Sequence, residues 1–196
     1  MFSYEIFVDH GETPNRCTIL PLAYRTDFTI LRKNFVNPLQ SEVLLHPDGL
    51  SLHELHRSLI GVRSVAAIDC VWRRLDPLLK SLPGPEPVKA RISEGFVTAY
   101  PRVARNNADP EGGFATIEAL FIAAAFLEEW DLSLLREYYF AEDFLKRNAE
   151  AFRSYGIDTR IESPVYRPLL ARNSQTRRIS RGRGEVGEGL NKIPRI

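Results

Sequence analysis

The chain predicts an α/β protein built on a mostly parallel sheet, and three observations carry that prediction. Short β-rich segments alternate with helical ones, the pattern of a sheet whose strands are joined by crossover helices. The stretch "RSVAAID" (63–69) is a nearly continuous apolar run, as a strand buried on both faces requires. The C-terminal half is helical, led by "TIEALFIAAAFLEE", which is apolar nearly all round and therefore central.

In chain order, "YEIFVD" (4–9) alternates and is rich in aromatic and β-branched residues, so it reads as a strand. A turn-rich loop, "HGETPNRCT", follows. "FTIL" (28–31) and "EVLL" (42–45) are short strands, the second stopped by His46-Pro47-Asp48-Gly49. Ser51, with Glu54 three residues later, has the form of a capping box opening a helix over "LHELHRSLI". After the 63–69 strand a helix runs from about Val71 to Ser81 and is closed by "LPGPEP". "GFVTAY" (95–100) reads as a further strand and "RNNADPEGG" (105–113) as a loop. Thr116 falls in the first turn of the apolar helix, and "LSLLREYYF" and "AEDFLKRNAEAFRSYG" complete the helical part.

With 196 residues the chain suits one domain, 1–171, followed by a tail over 172–196. That tail holds seven Lys or Arg against two Glu and few core-forming residues, the composition of a disordered basic segment. It could contact phosphates in a sequence-independent way, or be a solvated terminus with no partner. A net charge of +1 leaves any basic surface local. Two cysteines, Cys17 and Cys70, make neither a disulfide framework nor a metal site. The opening "MFSYEIFVDHGE" lacks a basic and apolar leader pattern, and "ALFIAAAFL" is too short to span a bilayer, so a cytoplasmic, soluble protein is expected.

Four signals carry chemistry. "HELH" (53–56) spaces its histidines three apart, unlike the i, i+4 pair of a zinc helix, and reads as surface histidines. "DPEGG" precedes a helix and could present amides to an anion, or be a plain turn. Asp69 ends a parallel strand, where an acid can face a ligand crevice or cap the next helix. Trp72 suits core packing or a pocket wall.

Taken together, these stretches resemble the SPOUT-class aminocarboxypropyltransferases that modify small-subunit ribosomal RNA in ribosome biogenesis, with their RNase L inhibitor-like N-terminal region. The matching residues run in order over roughly 4–150. They are Asp9-His10, Cys17-Thr18, Leu44-Leu45-His46-Pro47, Ile68-Asp69-Cys70-Val71-Trp72, Phe96-Val97-Thr98-Ala99-Tyr100-Pro101, Phe114-Ala115-Thr116-Ile117-Glu118-Ala119 and Phe144-Leu145-Lys146-Arg147-Asn148. Val71 stands where the family has Ser, Ile19 where Gly often follows, and the family's Asn-Pro-Val-Asn-Tyr-Gly loop is largely lost.

The resemblance implies a SPOUT-like sheet with a deep trefoil knot and bound S-adenosyl-L-methionine. It implies transfer of a 3-amino-3-carboxypropyl group to N3 of a uridine-type base by a monomer acting on RNA, whether small-subunit rRNA or a pre-ribosomal particle, with no metal and no membrane. Thr18 and Thr116 would hold the cofactor's amino-acid end. Leu45, Pro47 and Trp72 would wall the adenine and methyl-sulfonium, where an indole face attracts a cation. The backbone near Ser93 to Phe96, and Gly112, would meet the adenosine. Uracil N3–H is a weak acid and needs a base, the role expected of Asp69. Arg73 and Arg74 would add phosphate contacts beside the pocket. The alternatives are a SPOUT RNA methyltransferase and a non-catalytic RNA-binding ribosome assembly factor.

Overall fold

The computed structural model describes residues 1–9, 17–32, 38–101 and 113–159. Among the described residues five strands form one sheet in the order β2-β1-β4-β3-β5: β1 (Ser3–Val8), β2 (Phe28–Arg32), β3 (Val43–Ser51), β4 (Ser64–Asp69) and β5 (Val88–Arg91). Every pairing is parallel, so the expected parallel α/β sheet is present. Residue alternation sends Tyr4, Ile6, Val8, Val43, Val65 and Ala67 to one face, the main core, and Leu44 and Ala66 to the other. Helices α3 (Thr116–Phe126) and α4 (Ala141–Ser154) join the main core. The short helix α2 (Leu75–Lys80) covers the opposite face through Leu79.

α3 buries nearly every side chain, as its unbroken apolar pattern predicts, and only Glu118 interrupts that pattern with a charge. α4 is amphipathic, burying Phe144, Leu145, Asn148 and Phe152 on one side. Helix α1 (Leu52–Leu55) is shorter than the sequence predicts. The Ser51–Glu54 capping box forms, the Ser51 amide donating to the Glu54 carboxylate at 2.8 Å, but the helix ends at Leu55. "LSLLREYYF" likewise forms only a 3-10 turn over Leu132–Leu135.

β3 passes through His46-Pro47-Asp48-Gly49 without stopping. Its register with β5 breaks between Leu45 and Leu50, so the intervening residues bulge from the ladder. Gly49 is required there, because a Cβ would lie 2.6 Å from the Ala90 amide nitrogen. Within the bulge His46 is buried; its Nδ1 accepts from the Asp48 amide at 3.2 Å, which assigns the ring hydrogen to Nε2, 3.7 Å from Asp76 Oδ1.

The strand predicted over 95–100 does not form; the fifth strand is Val88–Arg91 instead. Gly95 turns the chain at φ 86°, and side chains then take the backbone groups that a ladder would have paired. Asn148 holds both the amide and the carbonyl of Val97, at 2.7 and 2.8 Å, and Glu118 accepts the Ala99 amide at 2.8 Å.

The strand order marks the sheet edge at which open α/β folds place a ligand crevice. β1 connects onward to β2 on one side, whereas β4, its other neighbour, connects to β5 on the opposite side. Adjacent strands whose connections diverge leave an opening at their carboxyl ends. Here those ends are Val8 and Asp69, which share a register position.

Candidate functional site

Three distant segments meet at that edge. Asp69 is the last residue of β4 and is half-buried. Its Oδ1 accepts the Thr116 hydroxyl at 2.7 Å and its Oδ2 accepts the Cys17 thiol at 2.8 Å. Thr18, the next residue, accepts the Ile117 amide on its Oγ1 at 3.4 Å. Because Ala115 at the α3 N-cap offers no capping side chain, the Thr18 hydroxyl serves one of the helix's open amides from outside.

The geometry resolves the two readings of Asp69. It does not cap the following helix: the helical turn Trp72–Arg74 starts from Val71 and α2 from Arg74, neither with a side-chain cap. Asp69 is occupied with Thr116 and Cys17, and Val71, with no hydroxyl to offer, takes the N-cap position. Each Asp69 oxygen has two acceptor positions, so the carboxylate can still receive a hydrogen bond or a proton.

Cys17 is buried, and burial together with the negative Asp69 beside it pushes the thiol well above its ordinary range. It is held as a neutral donor, the opposite of a reactive thiolate. Cys70, the neighbour of Asp69 in sequence, is half-buried; the thiol packed into the site is Cys17. Nearby, Asp9 is buried and pairs with Arg74, whose Nη2 lies 3.0 Å from Oδ1. Both Arg73 and Arg74 are exposed, and Arg74 is tied back to the protein through Asp9.

Thus Thr18, Asp69 and Thr116 are brought together. Leu45 and Trp72 are half-buried and Pro47 is exposed, on the bulge of β3 and the turn after β4. Ser93 and Phe96 face elsewhere. The Ser93 Oγ hydrogen-bonds with the Ser51 Oγ at 2.9 Å and accepts the His53 amide at 2.9 Å, holding the start of α1. The Phe96 ring packs on Phe126, Phe152 and Tyr155. Only their backbone is left to meet a ligand. Gly112, His10 and the basic tail over 172–196 lie outside the described residues.

His53 and His56 are exposed, with ring centroids 6.4 Å apart. They line a separate cleft of about 770 Å³ with Phe126, Trp130 and Tyr155 that includes no residue of the Asp69 cluster. Two residues with no assigned role, Glu118 and Asn148, organise the segment beside the start of α3. The signal for Glu118 was in the sequence: a charge inside a helix apolar all round has to be satisfied.

No family model and no curated protein matches the sequence. The fold is similar to that of the SAM-dependent rRNA:acp-transferase Tsr3 from Vulcanisaeta distributa. The TM-score is 0.59 at 17% identity, over 79% of this chain and 83% of that one. At this identity the likeness is one of fold.

Proposed function

We infer that this chain is an S-adenosylmethionine-dependent transferase acting on RNA, and that it transfers the 3-amino-3-carboxypropyl group to N3 of a uridine-type base in small-subunit rRNA. The observation that supports this best is the Asp69–Thr116–Cys17 cluster, which stands at the divergent sheet edge of a fold shared with Tsr3. The SPOUT-class trefoil knot, a monomeric state, RNA contacts from the tail and a cytoplasmic location belong to the same reading.

The residues present suit the cofactor. The hydroxyls of Thr18 and Thr116 lie at the N-terminus of an 11-residue helix, whose positive end favours a carboxylate. Trp72, with Leu45 and Pro47, would supply the apolar wall, and a half-buried indole can face a sulfonium. The backbone at 93–96 and Gly112 would take the adenosine. Bound there, S-adenosylmethionine supplies an electrophilic carbon next to its sulfonium.

Asp69 would accept the proton from the base's N3, using the acceptor positions that Thr116 and Cys17 leave open. Those two donors also fix the carboxylate's orientation, so no reorganisation is required when the proton arrives. Asp69→Asn keeps the shape and loses the base: cofactor affinity should hold while transfer falls by about 10²–10⁴-fold. Full transfer by that variant would remove Asp69 from this role. A methyltransferase would be recognised by the smaller mass added to the nucleoside. A non-catalytic RNA binder is favoured by one observation, the loss of most of the family's Asn-Pro-Val-Asn-Tyr-Gly loop from the stretch whose counterpart begins at 96–101. Calorimetry showing no S-adenosylmethionine binding would leave that reading standing.

A further inference from the structure

Segment 97–100 belongs to no helix or sheet, and two buried polar side chains hold it in place. Glu118, fully buried in the first turn of α3, receives four donors, two on each oxygen. Oε1 accepts the Ala99 amide and the Tyr138 hydroxyl, each at 2.8 Å. Oε2 accepts the Thr98 hydroxyl at 2.6 Å and the Ala115 amide at 2.9 Å. One carboxylate therefore joins the segment to the residue immediately before Thr116, whose hydroxyl meets Asp69.

Asn148 of α4 holds the other end. Its Oδ1 accepts the Val97 amide at 2.7 Å, and its Nδ2 donates to the carbonyls of Val97 and Phe144, each at 2.8 Å. A side-chain amide thus imitates a neighbouring strand. Packing alone would be met by apolar residues at two positions with no exposure, since burying a charge or an amide costs desolvation. What directional bonds add is a fixed path for backbone whose outer side stays open, with Val97 48% exposed.

We propose that Glu118 and Asn148 are positioning residues that hold segment 97–100 as a wall of the cofactor pocket, in fixed relation to Thr116 and Asp69. This rests on the transferase reading above. The test uses the full chain with S-adenosylmethionine as the calorimetric probe, and amide hydrogen exchange on the same samples. Thr98→Val removes the hydroxyl that donates to Glu118 and accepts the Tyr100 amide, and leaves the Ala99, Ala115 and Tyr138 bonds to Glu118, so it is expected to fold even if Glu118→Gln does not. It should weaken cofactor binding about tenfold and speed exchange at Ala99, whose amide Glu118 holds. Thr98→Ser restores the hydroxyl and should restore both. Wild-type binding with unchanged affinity in Thr98→Val would overturn the positioning role and leave the transferase reading intact. A wild-type chain that binds no S-adenosylmethionine would overturn that reading, and this inference with it.

Discussion

Two carboxylates flank the start of α3, and their surroundings differ. Asp69 reaches it from the sheet, is half-buried, and accepts one donor on each oxygen. Glu118 reaches out from the helix, is fully buried, and accepts two donors on each oxygen. The first has acceptor capacity left and lies at the opening between diverging strands, so it can act on a ligand. The second is saturated, so it can only hold its neighbours. The same functional group keeps open acceptor positions in one place and is fully engaged in the other, and the deciding variables are unfilled lone pairs and access.

Removing either group should separate those roles. Glu118→Leu strands two amides and two hydroxyls in the interior and should cost about 4 kcal/mol or more, read from the urea midpoint, or prevent folding altogether. Asn148→Leu leaves the Val97 amide and carbonyl to find water and should cost about 2–3 kcal/mol by the same measurement. Asp69→Asn should be far milder for stability, near 1 kcal/mol, because an amide can still accept on one oxygen. A larger loss for Asp69→Asn than for Glu118→Leu would reverse the comparison.

The pH dependence should sharpen it. Burial raises the Glu118 carboxyl above its ordinary range, with its four donors opposing that shift. The folded state then holds its proton more tightly than the unfolded chain does. Stability from this group therefore falls as pH rises through the raised value, and is recovered as pH falls toward the ordinary carboxylate range. Glu118→Gln does not titrate, so its deficit against wild type should widen on acidification. A gap that narrows would contradict the burial argument.

The smallest effect concerns Cys17. Asp69 helps push its thiol up, so Asp69→Asn should lower it and speed alkylation of Cys17 at pH 8, read by mass spectrometry. Unchanged labelling would mean that burial alone protects the thiol.

How much of this was legible in the sequence depended on how local each signal was. β1, β2, β4, α3 and α4 follow from hydrophobic period, and the Ser51 capping box from four consecutive residues. Residues 95–100 were misread because their β-rich composition is real, but their hydrogen-bond partners come from Glu118 and Asn148, remote in sequence. β5 was missed because "VKAR" alternates with two cations on a short edge strand. At the site, Asp69 and Thr116 could be singled out, but not their hydrogen bond, which spans 47 positions. Nor could the sequence show that Cys17, not a helix amide, holds the other Asp69 oxygen.

The central claim is that this chain transfers the aminocarboxypropyl group to RNA. Incubating it with small-subunit rRNA and S-adenosylmethionine labelled in the methionine backbone carbons, then weighing the digested nucleosides, tests that directly. A uridine-type nucleoside carrying the label and the mass of a 3-amino-3-carboxypropyl group is the result expected. A nucleoside gaining only a methyl mass, or none gaining any, would contradict it.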